Sequence, residues 1–115
     1  MMEFEPIKTV DIDTLKGILI YCMQNYTKDI RLADLERDLH ISRYYISHIF
    51  SSKLKMGFND YINSLRVSEA TRKLAHGVKS ISDIAFSTGF NSLRSFNRAF
   101  SKFTGITPSE YRKNN

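Results

Sequence analysis

Two sets of four side chains stand at helical spacing and share one chemistry. Tyr44, Ser47, His48 and Ser51 fall at i, i+3, i+4 and i+7, and Arg94, Asn97, Arg98 and Ser101 repeat that spacing fifty residues on. At 3.6 residues per turn each set covers one side of a cylinder. A face that is merely solvated favours Glu and Lys, yet these eight slots hold no acid. Arginine can donate a bidentate pair to guanine O6 and N7, and asparagine can pair with adenine N6 and N7. Hydroxyls and imidazole serve bases or phosphates. Arg43 and Leu93, near the starts of the two stretches, join Tyr44, Ser47, His48, Arg94, Asn97 and Arg98 as candidate base readers. Ser51, Ser52, Lys53, Ser80, Ser101, Lys102 and Arg112 are candidate phosphate contacts. Ser51, Ser52, Lys53 and Lys102 lie toward the C-terminal halves of their helices, and phosphate contacts orient without specifying.

Charge agrees with this chemistry. The net of +5 is uneven: residues 1 to 30 carry −2, so residues 31 to 115 carry +7. From Asn91 to Asn115 alone, five cations face one acid, Glu110. A positive field of this kind favours polyanions. No Gly-rich phosphate loop, paired carboxylates or nucleophile and base arrangement accompanies it, so the chain does not read as an enzyme. His40, His48 and His76 do not stand at metal-ligand spacing, and no metal or cofactor is implied. Cys22 is the only cysteine, which excludes an internal disulfide and reads as a small buried apolar residue.

The elements that must hold these faces are helices. The chain has 115 residues, enough for one domain or two small subdomains, with an ordinary 42% hydrophobic and 25% charged composition. Five glycines and two prolines punctuate it, and no β-branched alternation persists. Ile12, Leu15, Leu19, Cys22, Met23 and Tyr26 predict the buried stripe of a first helix. Short helices follow at Leu32 to Leu39 and Ser42 to Leu54, then a longer one from Phe58 to a C′ glycine at Gly77. Ser80 or Ser82 caps the next, and Asn91 or Ser92 the one through Phe103. Pro108 opens a last turn. Tyr45 and the phenylalanines at 86, 90, 96, 100 and 103 are expected in the core, with Tyr44 outside. The longest apolar run is the six residues 18 to 23, far below the ~20 that cross a bilayer. With no visible signal peptide, a cytoplasmic location on the bacterial nucleoid is expected.

An internal repeat organises the helices. Leu35, His40 and Ile41 recur 49 residues later as Ile84, Gly89 and Phe90. One extra turn residue changes the offset to 50, and Ile46, Phe50, Met56 and Tyr61 align with Phe96, Phe100, Ile106 and Tyr111. Each copy outlines a helix-turn-helix.

These residues resemble the DNA-binding region of the AraC/XylS family of bacterial transcription regulators, over about residues 12 to 113. The strongest stretch joins Ile81, Ile84, Ala85, Phe86, Gly89 and Phe90 to Phe96 and Phe100, then to Gly105, Thr107, Pro108, Tyr111 and Arg112. Tyr61, Arg66, Ala70 and Leu74 resemble the family's linker helix, and Leu35, Ser42, Ile46 and Phe50 its first motif. Four positions depart from it. Glu36 stands where a small alanine is usual, and must tilt outward or find a basic partner because burying it alone is costly. His40 replaces a turn glycine and is expected to need a left-handed backbone. Lys55 replaces a second glycine, and Ser95 a common tyrosine.

The expected architecture is all-α: two helix-turn-helix subdomains joined by a long linker helix, about seven helices in all. Residues 1 to 10 form a leader or linker, 11 to 57 the first subdomain, 58 to 77 the linker helix, and 78 to 115 the second subdomain. The expected function is sequence-specific binding of double-stranded DNA and transcription regulation, with the two unlike recognition helices in adjacent major grooves. The resemblance implies an activator that contacts RNA polymerase, and leaves open a sensor or receiver domain absent from this chain. No membrane partner is expected. The rival readings are a helical protein-interaction module docking an acidic partner, and non-specific architectural DNA binding.

Overall fold

The computed structural model describes the backbone of residues 4–115 and the side chains from residue 12 onward. Among the described residues there are seven α-helices and no strand: α1 (Phe4–Asn25), α2 (Leu32–Leu39), α3 (Arg43–Ile49), α4 (Phe58–His76), α5 (Ile81–Ser87), α6 (Leu93–Thr104) and α7 (Pro108–Asn114). A π-helical turn, Phe50–Leu54, continues α3. No helix among the described residues is long and apolar enough to cross a membrane. Helix α1 takes in most of the stretch expected as a leader, while residues 1 to 3 lie outside the described residues. The chain divides into two compact units. One holds residues up to Asn25 together with Ile30–Asn59; the other holds Tyr26–Asp29 and Asp60–Asn115.

In the first unit, Ile18 and Cys22 of α1, Leu35 of α2, and Ile46, Ile49 and Phe50 are fully buried or nearly so. Phe58 meets Phe50 edge-on at 5.5 Å between ring centres. Burial pushes the Cys22 thiol up to about 12. The stripe expected on α1 is corrected at two positions: Ile12 and Met23 are 55% and 59% exposed, and Ile20 is exposed beside them. They sit roughly 120° and 140° round the helix from Ile18, so packing α2 and α3 against Ile18 and Cys22 turns them outward. The turn from α2 to α3 passes through His40 in the left-handed region, φ 58°, and its side chain is exposed, so the Cβ has room. Lys55 is left-handed too, φ 59°, where it ends the π-turn by donating its N–H to the Phe50 carbonyl. The helix expected as far as Leu54 therefore widens after Ile49.

The second unit is built around Val67, Ala70 and Leu74 of α4, Ile84 and Ala85 of α5, Phe90, and Phe96, Ala99 and Phe100 of α6. Phe90 meets Phe96 at 5.3 Å, and Phe100 meets Tyr111 edge-on at 5.7 Å. Such aromatic pairs add about 0.5–1.5 kcal/mol each beyond the area they bury. Phe86 is an exception to the expected core: it is 52% exposed, because Ile84, Ala85 and Thr88 take the inward side of α5. Gly89 adopts φ +114°, and an added Cβ would lie 2.6 Å from Arg66 Nε and 2.7 Å from the Tyr26 carbonyl. Gly77 follows α4 but is not left-handed. Its need for glycine is one of space, since a Cβ would meet the Lys73 carbonyl at 2.9 Å.

Candidate nucleic-acid interface

Helix α3 starts from Ser42, whose hydroxyl accepts the Tyr44 N–H at 3.1 Å. With Ile46 and Ile49 buried, Tyr44, Ser47 and His48 are left in solvent, Tyr44 at 82% exposure. Arg43 is exposed but not loose. Its Nε donates to Glu36 Oε1 at 2.8 Å, and its backbone N–H donates to Glu36 Oε2 at 3.3 Å. Glu36 thereby finds the basic partner its position demanded, and these bonds from Arg43 hold its carboxyl below the usual range. Ser51, Ser52 and Lys53 lie on the π-turn, with Ser52 half-buried and the other two exposed. The Ser51 hydroxyl donates to the His48 carbonyl at 3.1 Å.

Helix α6 starts from Ser92, whose hydroxyl accepts the Ser95 N–H at 3.1 Å. Phe96, Ala99 and Phe100 anchor its inner side, which turns Arg94, Asn97 and Arg98 outward with Leu93 at their edge. Arg94, Asn97 and Arg98 are exposed and make no side-chain hydrogen bond or ion pair among the described residues. Ser101 is exposed and donates to the Ile106 carbonyl at 3.3 Å. Lys102 pairs with Asp60 at 2.9 Å, both side chains being about half exposed. A pair of that kind is worth about 0–1 kcal/mol. Ser80 caps α5, accepting the Asp83 N–H at 3.0 Å.

Arg112 is placed differently from its expected phosphate role. Its Nε donates to the Leu74 carbonyl at 3.4 Å, and its Nη2 is buried. The guanidinium is turned onto the C-terminal end of α4, where it complements the helix dipole.

The charge at the helix starts is a pattern that the helical faces alone do not show. Helices α2, α4, α5 and α7 carry Asp34, Asp60, Asp83 and Glu110 in their first turns, while α3 and α6 carry no acid there. The positive dipole end of α6 is left without a carboxylate, which favours anions, whereas that of α3 is met from α2 by the Glu36 carboxylate, which accepts the Arg43 N–H. Glu36 was also missed as part of the site. Its signal is the seven-residue spacing to Arg43 across a short turn.

A family model described as a helix-turn-helix domain matches residues 35–114. An uncharacterized HTH-type transcriptional regulator of Staphylococcus aureus is 32% identical over 100 residues, 87% of this chain and 13% of its own length. The regulatory protein PocR of Salmonella typhimurium is 32% identical over 99 residues, 86% of this chain and 33% of its own length. Among solved structures, a Listeria innocua protein of unknown function superposes with a TM-score of 0.82 and 31% identity, covering 88% of this chain and 96% of that one. A transcriptional regulator with an AraC-type DNA-binding domain from Chromobacterium violaceum has a TM-score of 0.68 and 27% identity, over 74% and 76% of the two chains. This chain is a helix-turn-helix domain of the AraC/XylS family. The DNA-binding domain of AdpA in complex with a target DNA shares the AraC-type fold, with a TM-score of 0.79 at 21% identity over 87% and 90% of the two chains. Within the family frame, α2 and α3 form the first helix-turn-helix and α5 and α6 the second, with α4 as the linker helix.

Proposed function

We propose that this AraC/XylS-type domain binds double-stranded DNA sequence-specifically and serves as the DNA-reading part of a transcription regulator. The observation that carries this reading is the chemistry of two outward helix faces, Tyr44, Ser47 and His48 on α3 and Arg94, Asn97 and Arg98 on α6. Both faces lack acids, and α6 also starts with no carboxylate in its first turn. Recognition helices present their N-terminal residues to the base edges, so on α6 that absence falls where phosphates and bases approach.

In this proposal α3 and α6 occupy neighbouring major grooves on one side of the duplex. Helix α4 has 19 residues and is about 28 Å long, comparable with the ~34–36 Å between successive groove faces. The unlike faces require an asymmetric site of two different boxes. Lys53, Ser80, Ser101 and Lys102 serve as phosphate contacts, joined by Ser51 and Ser52. Arg112, committed to α4, is left out of the set. The family resemblance favours activation, with RNA polymerase as partner and a sensor or receiver domain elsewhere in the intact regulator.

Selecting bound duplexes from a random pool tests the proposal. Two unlike boxes about one helical turn apart are the expected product. Recovery of no preferred sequence would overturn it and favour docking of an acidic protein partner or architectural binding. Inserting about half a turn of duplex between the boxes is expected to weaken binding sharply, and unchanged affinity would leave only one motif reading.

A further inference from the structure

Glu36 both ends α2 and opens α3. Its carbonyl accepts the His40 N–H at 3.0 Å, and its carboxylate takes the side chain and backbone of Arg43, the first residue of α3. A guanidinium presents five N–H donors in a rigid planar fork. Glu36 occupies Nε, while Nη1 and Nη2 bond to no described residue, leaving their common edge free at the start of the helix. Two parallel donors on one edge match the O6 and N7 acceptors of guanine.

Resting on the proposed function, we infer that Glu36 is a positioning residue for base reading: it holds Arg43 so that the Nη1–Nη2 edge recognises a guanine beneath the N-terminus of α3. An untethered arginine surrenders its rotamer freedom when it binds, whereas this one is already held in the free protein. The pairing also explains how an acid is tolerated at the edge of a surface that meets a polyanion. The Glu36 and Arg43 pair has no net charge, so it contributes selectivity with little general attraction.

The test compares wild type with E36A, E36Q and R43K by duplex selection and by titration against cognate and random duplexes at several salt concentrations. Thermal melting monitors the fold. Wild type is expected to prefer guanine at one position by about 5- to 150-fold. R43K keeps the charge and loses the fork, so that preference collapses there and nowhere else. E36A loses most of it too, yet binds random DNA more tightly, with a log–log salt slope steeper by about 0.9 because one cation is unmasked. E36Q falls between, since its amide oxygen still accepts from Nε. A wild-type chain that selects duplexes but keeps its base preferences in R43K, or in E36A and E36Q, overturns this inference alone. A wild-type chain that selects none overturns the DNA-reading proposal, and this inference falls with it.

Discussion

Arg66 donates through Nε to the carbonyl of Tyr26 at 2.7 Å, and this bond fills the space that any side chain at position 89 would need. A second donation, from Nη2 to the Lys28 carbonyl at 2.9 Å, fixes the guanidinium, which also lies 5.6 Å from the centre of the Phe90 ring. The turn of the second motif is thus shaped by a cation forty residues away from one of its partners in sequence.

Gly89→Ala is therefore expected to destabilise the chain by about 2–4 kcal/mol, combining a left-handed backbone with a clash against a carbonyl that cannot swing aside. Urea unfolding measures this as a lowered midpoint. A loss below 0.5 kcal/mol would show that the tie to Tyr26 gives way easily.

The repeat made much of this legible in advance. Ile46 with Phe96, and Phe50 with Phe100, occupy matching fully buried places in their two units, as their offset of 50 predicts. Pro108 stands at the start of α7, as expected, and the structure adds a reciprocal cap between Thr107 and Glu110 and carries the helix on to Asn114. The outward placement of Arg94, Asn97 and Arg98 follows from the same periodicity. What stayed hidden has physical causes. Helix α1 has apolar residues on several sides, so periodicity could not choose between Ile18 and Ile12 for the core. The π-turn ends on Lys55 at a positive φ; the family glycine it replaces hints at that backbone, but nothing in the residues hints at the widened turn before it. Arg112 is long enough to reach either a phosphate or a helix end, and only packing decides between them.

Base and phosphate contacts are expected to separate in titrations. Arg98→Ala should cost about 1–3 kcal/mol at the cognate site and relax one base preference, while Lys102→Ala weakens all duplexes and flattens the salt slope by about 0.9. Equal losses for Arg98→Ala on cognate and random DNA contradict its assignment. Arg112→Ala, by contrast, is expected to lower the melting temperature while leaving the ratio of cognate to random affinity near the wild-type value.

Alkaline stability is expected to depend on Cys22. The folded chain retains the thiol proton up to about 12, whereas the unfolded chain releases it near the ordinary value of 9.0. Stability from this group is complete below that ordinary value and is lost as pH climbs toward 12, by up to about 1.4 kcal/mol per pH unit. Cys22→Ala removes this contribution, so the stability gap between wild type and variant should be constant at neutral pH and shrink only on the alkaline side. Parallel curves would mean that the thiol ionises in the fold.

Ser92 and Ser95 form half of a reciprocal cap at the start of α6, lacking only the glutamate that would complete it. Ser95→Glu is expected to raise the melting temperature slightly and to weaken DNA binding, measured on the same preparation. Heat resistance and recognition pull in opposite directions at this one hydroxyl, so breeding the domain for endurance would blunt it as a reader.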